Sequence, residues 1–393
     1  MLAVVLAGLL AACSTEPEAP AEPDLSLRPV AFETIRGWAS GDPRPALEAF
    51  LRSCATLGRK TDDALFDAKA GFRFGQVGDW RPACSEAAAI APGSTPSRVR
   101  AFFETRFTPY RVGDGDREEG LFTGYYEPLL EGSRTYGGRY RVPLYRVPDD
   151  LLLIDLGRFD PALDGRRIMG RVDAGEVVPY FSRREIDAGV LADRELEILW
   201  VDDPVDKFFL QIQGSGRVRL ADGTAVRVGY AGQNGHPYRA IGRDLIERGE
   251  ISREAMSMQA IRAWLEAHPE EAVDLMGRNR SYVFFHELDG LDSSEGPLGA
   301  QGVPLTTERS LAVDRRFLPL GAPVWLDTRV PWPEGEAPFR RLMVAQDTGG
   351  AIRGVVRGDV FFGSGSRAEA AAGRMKHPGH LTLLLPRTLA PVG

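Results

Sequence analysis

The spacing of apolar residues divides the chain into a helical part and a strand-rich part. Apolar residues recur at helical spacing in three segments, at about 43–57, 62–70 and 95–107. The last segment opens with Thr95, a typical N-cap, followed by Pro96 at the first helical position. From about residue 117 the pattern changes to short apolar runs separated by Gly and Pro, which predict strands. We therefore expect the first hundred residues to be mainly helical and most of the rest to be strands and turns.

The predicted strands form two blocks with helices between them. The apolar runs of the first block are 120–133, 140–148, 196–201 and 207–220. A capping box from Ser182 to Glu185 predicts one short helix inside this block, and two more helices are predicted at about 236–249 and 257–275, the second capped by Ser257. The second block extends from 281–288 to 380–386 and has the length of a small six-stranded barrel. Since no repeat with a period of about 20 to 50 residues is visible, a solenoid or a propeller is disfavoured.

The composition is that of a folded protein that does not bind nucleic acid. Apolar residues make up 43% of the 393 positions and charged residues 26%, both close to globular averages. The 48 basic and 55 acidic side chains give a net charge of -7, and no basic block could neutralise a run of phosphates. We therefore expect no nucleic acid partner, and the length predicts two domains or one elaborated domain.

The N-terminus has the pattern of an export signal. Residues 1–12 are almost wholly apolar but too short to span a bilayer core, which needs about 20 residues. The sequence LAAC at 10–13 resembles the lipobox of bacterial lipoproteins, in which the cysteine is acylated after cleavage. Residues 14–28 are rich in Pro, Glu and Ala and are predicted to be a disordered tether. Because Ser14 resembles an outer-membrane sorting signal, we expect a lipoprotein of the Gram-negative outer membrane, held by a lipid on Cys13 and facing the periplasm.

Two further cysteines, Cys54 and Cys84, leave two alternatives open. An oxidising periplasm would permit a disulfide between them. Cys54 also lies at helical spacing with apolar residues, which is compatible with two buried free thiols. Neither cysteine has a histidine at the spacing of a metal site, and nothing in the sequence calls for a metal or an organic cofactor.

Three aspartates at predicted strand ends carry the clearest chemical signal: Asp314, Asp347 and Asp359. Asp347 begins the glycine-rich sequence DTGGAI, and Asp359 is followed at once by Val-Phe-Phe. A carboxyl against such apolar neighbours loses hydration, which raises its pKa, and a nearby Asp347 would act in the same direction. We therefore predict Asp359 to be a general acid. For Asp314, a turn-forming or capping role is at least as well supported as a chemical one.

A set of separated motifs resembles a known family. The sequences AVDRRFLPLG (312–321), VAQDTGGAIRG (344–354) and GDVFFG (358–363) resemble the double-psi β-barrel domain that is named for its three aspartates. Upstream, four more motifs resemble the membrane-bound lytic murein transglycosylase A family in the same order: LFTGYYEPLLEGS (121–133), LQIQGSG (210–216), GYAGQNGHPYRAIG (229–242) and NRSYVFF (279–285). The resemblance covers most of residues 30–390.

The resemblance implies a fold that is mainly β with some α (α+β). A main domain of 29–130 and 286–393 would contain a six-stranded double-psi β-barrel, with the three-aspartate region at about 300–390. Residues 131–285 would form an inserted second β-rich domain. The groove between the two domains would hold the substrate, and the protein would act as a monomer.

The resemblance also implies an activity and assigns roles to residues. The third aspartate, Asp359, would be the catalytic acid, with Asp347 beside it in support. The candidate residues lining the sugar groove are Thr123, Tyr125, Gln213 and Gly214, with Asp314 as a further substrate-binding candidate. Sugars bind by stacking on aromatic rings and by hydrogen bonds to amides. Tyr125 and Tyr126 could also be alternating core and surface positions of one strand.

The implied reaction is cleavage of the β-1,4 bond between N-acetylmuramic acid and N-acetylglucosamine in peptidoglycan. Asp359 would protonate the glycosidic oxygen and then accept the proton of the muramoyl C6 hydroxyl, which leaves a 1,6-anhydro end. Oriented backbone or amide oxygens, or an ionised Asp347, would stabilise the positive charge that develops at the anomeric carbon. The expected partners are glycan strands of peptidoglycan, the membrane through the lipid anchor, and candidate cell-wall synthases or scaffold proteins.

Two other functions fit single features of the sequence. The triplet DTG at 347–349 also matches aspartic proteases, but those sites need two such loops and this chain has one. Double-psi barrels also occur in proteins that bind or loosen polysaccharides without cutting them. Such a wall-binding protein would keep the groove but would need no acid.

Overall fold

A computed structural model describes residues 23–292 and 295–389. The predicted signal peptide at 1–13, its lipobox Cys13 and Ser14 lie outside the described residues. The helices are α1 Arg44–Leu57, α2 Val77–Ala88, α3 Pro96–Arg106, α4 Arg183–Asp187, α5 Pro204–Gln213, α6 Gly242–Glu247, α7 Met258–Ala267, α8 Pro269–Gly277 and α9 Ser366–Ala372. The strands are β1 Leu25–Pro29, β2 Phe107–Asp114, β3 Gly120–Glu127, β4 Leu129–Ser133, β5 Val142–Tyr145, β6 Leu152–Asp155, β7 Arg167–Asp173, β8 Glu176–Pro179, β9 Glu197–Val201, β10 Ser215–Arg219, β11 Ala225–Gln233, β12 Val283–Glu287, β13 Ser310–Val313, β14 Pro323–Trp332, β15 Gly335–Asp347, β16 Arg357–Ser364 and β17 Lys376–Pro386.

Six strands close into a barrel. They belong to a sheet of order β1-β2-β17-β14-β15-β13-β16-β3, in which β17 also pairs with β3 and so completes a ring. Within the ring, β13 runs parallel to β15 and β16 runs parallel to β3, while the other neighbours are antiparallel. The barrel is filled by apolar side chains such as Leu311, Val344 and Leu381, all fully buried. This arrangement confirms the predicted mainly β fold with a six-stranded barrel.

A second group of strands lies between β3 and β13 in the chain. It consists of a six-stranded sheet of order β12-β11-β10-β4-β9-β5 and a three-stranded sheet of order β6-β7-β8. The change from barrel to second sheet falls at Pro128, between β3 and β4. Glu127, at the end of β3, is buried and forms ion pairs with Arg217 on β10 and Arg227 on β11. Charged hydrogen bonds at this junction therefore join the second sheet to the barrel.

The N-terminal helices pack on the barrel through an aromatic core. Phe50 on α1 contacts Phe103 on α3, with ring centroids 6.2 Å apart, and Trp80 on α2 stacks on Phe66 at 3.8 Å. The sulfurs of Cys54 and Cys84 are bonded to each other, with their Cα atoms 5.5 Å apart, so a disulfide links α1 to α2.

Several predicted helix ends agree with the structure. Thr95 caps α3 by accepting a hydrogen bond from the Arg98 N–H. The capping box between Ser182 and Glu185 is formed at α4, and Ser257 caps α7. The helix predicted at 257–275 is two helices, because Pro269 begins α8 directly after α7 ends.

No helix within residues 23–292 or 295–389 combines the length and the apolar character needed to cross a membrane.

Three predictions for local structure were wrong. Residues 62–70 form turns, and the helix of this region is α2, whose pattern is interrupted by Pro82. The run at 207–220 begins as helix α5. Asp203 is the N-cap of this helix and Pro204 its first residue. The apolar residues that follow are buried on several sides, so the helical period is not visible in the sequence. The predicted disordered tether at 14–28 extends too far, because Leu25 and Leu27 belong to strand β1 and pack against the barrel core.

Candidate active site

The strand register brings Asp347 and Asp359 to the same part of the barrel. Ala312 on β13 pairs with Asp347 on β15 and also with Asp359 on β16. Because neighbouring strands lie about 4.8 Å apart, the two aspartate backbones are separated by about 10 Å, with a small alanine between them. The carboxyl groups lie near enough for a charge on Asp359 to raise the pKa of Asp347.

Asp359 is held through one of its two carboxyl oxygens. The parallel pairing of β16 with β3 places it opposite Thr123, whose hydroxyl donates to Asp359 Oδ1 at 2.6 Å. Arg357 Nη2 in turn donates to Thr123 Oγ1 at 2.7 Å. Since arginine has only donors, the single hydrogen of the threonine hydroxyl must point to Asp359. No described residue donates a hydrogen bond to Oδ2, so the chain leaves this oxygen available to a ligand.

The surroundings of Asp359 favour its protonated form. The residue is half-buried, and the loss of hydration raises the pKa of its carboxyl above the ordinary value. The nearby charge of Arg357 and the hydrogen bond from Thr123 oppose this effect without cancelling it. A carboxyl with these properties can donate a proton at a higher pH than an exposed aspartate can.

Asp347 has a full set of hydrogen-bond donors. The Tyr125 hydroxyl donates to Oδ2 at 2.7 Å, and the backbone N–H groups of Ala300 and Thr348 donate to Oδ1 at 2.8 and 2.9 Å. Burial raises the pKa of Asp347, and these three bonds act against that rise because they stabilise the ionised form. Asp347 and Asp359 thus both have pKa values raised by burial, and Asp347 has more hydrogen-bond donors to its carboxylate than Asp359 has.

Tyr125 lies behind Asp347 in the barrel wall. Its side chain is only 8% exposed, and its ring packs against Phe361 with the centroids 5.3 Å apart. Tyr126 is buried as well, at 3% exposure. Neither ring therefore offers a broad face for a sugar, and the visible role of Tyr125 is to orient Asp347.

Gln213 and Gly214 lie at the C-terminus of α5, where the second group of strands meets the barrel. Gln213 Oε1 accepts a hydrogen bond from the Tyr126 backbone N–H at 3.0 Å, and Gly214 ends the helix with a φ of +82°. The left-handed backbone at this position favours glycine. The contacts of Gln213 join α5 to β3, and a direct contact of either residue with sugar stays a prediction.

Asp314 makes the contacts of a turn-stabilising residue. Its buried carboxylate accepts hydrogen bonds from Arg316 Nη2 at 2.6 Å and from the Gly354 N–H at 3.0 Å, and these donors hold its pKa below the ordinary value against the effect of burial. It thereby fixes the loop between β15 and β16. The structure shows no hydrogen bond from Asp314 to Asp347 or Asp359, and its binding of substrate stays a prediction.

Two groups of this site, Arg357 and the Ala300 N–H, are not among the residues predicted from the sequence. Arg357 lies two residues before Asp359 on one strand, and the two-residue period of a strand would have placed both side chains on the same face. The Ala300 N–H comes from a loop 47 residues from Asp347, and no local pattern indicates that approach.

Comparison with known proteins gives matches over most of the chain. Residues 121–286 match the family described as the MltA specific insert domain, and residues 309–385 match the 3D domain. The chain is 37% identical over 271 residues to the membrane-bound lytic murein transglycosylase A of Escherichia coli (strain K12). That match covers 67% of this chain and 65% of the length of the relative.

Solved structures extend the similarity to nearly the whole chain. The crystal structure of a membrane-bound lytic murein transglycosylase from Agrobacterium tumefaciens has a TM-score of 0.80 and 35% identity, and the match covers 92% of this chain and 98% of that one. The structure of E. coli MltA with bound chitohexaose has a TM-score of 0.65 and 28% identity, with 93% of this chain and 95% of that one covered. From its two domain matches and these similarities, the chain belongs to the membrane-bound lytic murein transglycosylase A family.

Proposed function

We propose that the protein is a peptidoglycan lytic transglycosylase whose single catalytic acid and base is Asp359. The observation that carries the proposal is the half-buried carboxyl of Asp359, which has a raised pKa. One of its oxygens is held by Thr123, and the other has no donor among the residues that the structure describes. The E. coli relative with bound chitohexaose supports a glycan strand as the ligand. Family membership supports peptidoglycan as the source of that strand.

One carboxyl is enough for this reaction because the substrate supplies its own nucleophile. In the first step Asp359 Oδ2 gives its proton to the glycosidic oxygen, and the bond from that oxygen to C1 of the muramoyl residue breaks. In the second step the C6 hydroxyl of the same muramoyl residue attacks C1 and returns its proton to the Asp359 carboxylate. The products are a free hydroxyl on the N-acetylglucosamine and a 1,6-anhydro end, and the enzyme regains its starting state.

The neighbouring groups assist by fixing charge and orientation. An ionised Asp347, held by Tyr125, Ala300 and Thr348, would stabilise the positive charge that develops at C1. It would also disfavour ionisation of Asp359 before the substrate arrives. Thr123 acts as a positioning residue, since its hydroxyl fixes Oδ1 and so aims Oδ2.

The proposed binding site is a groove between the barrel and the inserted part of the chain. We propose the division into a main domain of 29–130 and 286–393 and an inserted domain of 131–285. The hydrogen bond from Tyr126 to Gln213 and the ion pairs of Glu127 hold the two parts together at strand β3, which carries Thr123. A groove with fixed walls positions a glycan for proton transfer better than a mobile one.

We further propose that the protein is an outer-membrane lipoprotein anchored at Cys13 and facing the periplasm. Its substrate would then be the peptidoglycan layer beneath that membrane. Wall synthases or scaffold proteins are the proposed protein partners, and the enzyme would work as a monomer.

Digestion of purified peptidoglycan sacculi tests the activity. We expect mass spectrometry of the released fragments to show 1,6-anhydromuramoyl ends, because the nucleophile is an internal hydroxyl and no water is consumed. Fragments with reducing ends would instead indicate a hydrolase. Binding to sacculi without release of any fragment would contradict catalysis and favour a wall-binding barrel.

Replacing Thr123 with Val should lower kcat about tenfold with little change in KM. The Thr123 hydroxyl stabilises the carboxylate that forms once Asp359 has given up its proton, and a hydrogen bond to a charged group contributes about 1.5 to 3 kcal/mol, of which part is recovered by water. The Thr123→Ser variant keeps the hydroxyl and should recover most of the activity. Steady-state kinetics on glycan strands measures both constants. A Val variant with the wild-type kcat, or a Ser variant as impaired as Val, would show that this hydroxyl does not position Asp359.

A further inference from the structure

A cavity of about 570 Å³ opens beside the proposed catalytic residues. Its walls are the beginnings of β3 and β16 and the end of the loop that joins β15 to β16. Three arginines line it, Arg117, Arg353 and Arg357, together with one acidic residue, Glu119. The volume is within the range of sites that bind small organic groups.

The cavity is connected to Asp359 through Arg357. This side chain lines the cavity and also donates to Thr123, which donates to Asp359. Two consecutive hydrogen bonds, of 2.7 and 2.6 Å, therefore separate the guanidinium from the catalytic carboxyl. A ligand group in the cavity would therefore act on Asp359 through Arg357 and Thr123.

The cavity wall carries positive charge that the protein does not neutralise. Among the described residues, neither Arg353 nor Arg357 has a carboxylate within ion-pair distance, and only Arg117 has one, Asp114 at 3.2 Å. Arg357 is half-buried, and burial lowers its pKa. The carboxyl that acts on it is Asp359, which in the proposed mechanism carries no charge until it has given up its proton. A half-buried cation without a counter-ion is costly, so an anion is favoured here.

Peptidoglycan offers an anion at the required place, whereas its sugar chain does not. N-acetylglucosamine is uncharged, and chitohexaose has no acidic group. The muramoyl unit carries a peptide stem on a lactyl ether at C3, two ring atoms from the reacting C1, and the stem has free carboxylates. Each extended residue reaches about 3.3 to 3.6 Å, so a stem of several residues extends well beyond the reacting sugar.

We infer that this cavity is the subsite for the peptide stem, with Arg353 and Arg357 binding a stem carboxylate. The inference rests on the proposed function and adds that the protein recognises the peptide stem as well as the glycan strand. Guanidinium groups suit this task because their planar donor pairs match the two oxygens of a carboxylate. Asp314 contributes indirectly, since its bond to the Gly354 N–H fixes the loop that presents Arg353.

Occupation of the cavity would also affect the chemistry. The charge of Arg357 lowers the pKa of Asp359 in the free protein. A bound carboxylate would offset that charge and keep Asp359 protonated, so stem-bearing substrate would prepare the acid for its own cleavage.

The test compares two forms of one substrate. Glycan strands with intact stems and the same strands after removal of the stems by an amidase are digested by wild-type protein and by the Arg353→Gln variant. We expect the ratio of kcat/KM for stem-bearing over stem-free strands to fall about tenfold in the variant. Arg98→Gln, which removes the same charge from an exposed position on α3, should keep the wild-type ratio.

The possible results separate this inference from the proposed function. An Arg353→Gln variant that loses activity equally on both substrates would place the glycan itself in the cavity and overturn the inference, and so would a wild-type ratio in that variant. Thermal unfolding of each variant shows whether the fold is kept. Wild-type protein that forms anhydro ends on neither substrate would instead contradict the proposed function.

Discussion

The Asp359→Asn variant is expected to release anhydromuropeptides at least about 10³-fold more slowly than the wild type, because general acid and base catalysis contributes about 10² to 10⁴ and this residue serves in both steps. Asparagine has the same shape and still accepts the hydrogen bond from Thr123 at Oδ1. It has no proton to give to the glycosidic oxygen. Liquid chromatography with mass spectrometry of digested sacculi measures the rate.

Two controls show whether a lower rate comes from the loss of the acid at position 359. The melting temperature of Asp359→Asn should equal or exceed that of the wild type, because removal of a buried acid relieves a desolvation cost. Asp116→Asn makes the same chemical change at an exposed position and should leave the rate at the wild-type value. If the Asp359→Asn variant digests sacculi at the wild-type rate, the catalytic acid lies elsewhere.

Replacing Asp347 with Asn is expected to lower kcat by about 10² while measurable activity remains, since charge stabilisation by one group contributes about 10² to 10³. The variant should also alter the pH profile. Activity requires protonated Asp359 and is lost as the pH rises through its pKa, so a neutral residue 347, which no longer disfavours ionisation of Asp359, should shift that loss to lower pH. The measurement is kcat as a function of pH on glycan strands.

Tyr125→Phe is the matched variant for Asp347, because it removes one hydrogen bond and keeps the charge. It should reduce kcat by less than Asp347→Asn does. The two variants thus separate the charge of Asp347 from its orientation. An Asp347→Asn variant with unchanged kcat and an unchanged pH profile would exclude any electrostatic role for Asp347.

The sequence was sufficient for the barrel and for the two central aspartates, but not for their partners. The Gly-rich turns and apolar strands around Asp347 and Asp359 are local patterns that can be read directly. The contact between Thr123 and Asp359 joins positions 236 residues apart through a parallel strand pair. No local sequence pattern indicates which strands pair over such a distance. The role of the buried Tyr125 hydroxyl could not be predicted for the same reason. An aromatic residue in a strand indicates only that one face of the strand is half-buried.

The inserted part was harder to predict because its helices are short or buried on several sides. The apolar pattern predicts a strand where helix α5 lies, although Asp203 and Pro204 form a standard helix start. Where apolar residues face protein on all sides, periodicity no longer distinguishes helix from strand, and the capping residues carry the remaining information.

The position of β3 in the chain determines when the enzyme becomes competent. Its ring neighbours β16 and β17 are the last two strands of the described chain, and everything from β4 to β15 is made before them. Because synthesis proceeds from the N-terminus, Thr123 has no Asp359 to bind until most of the described chain has been made. Proteins with many contacts of such long range also fold slowly. A molecule that ends before β16 therefore lacks the pair of Thr123 and Asp359 on which the proposed activity depends.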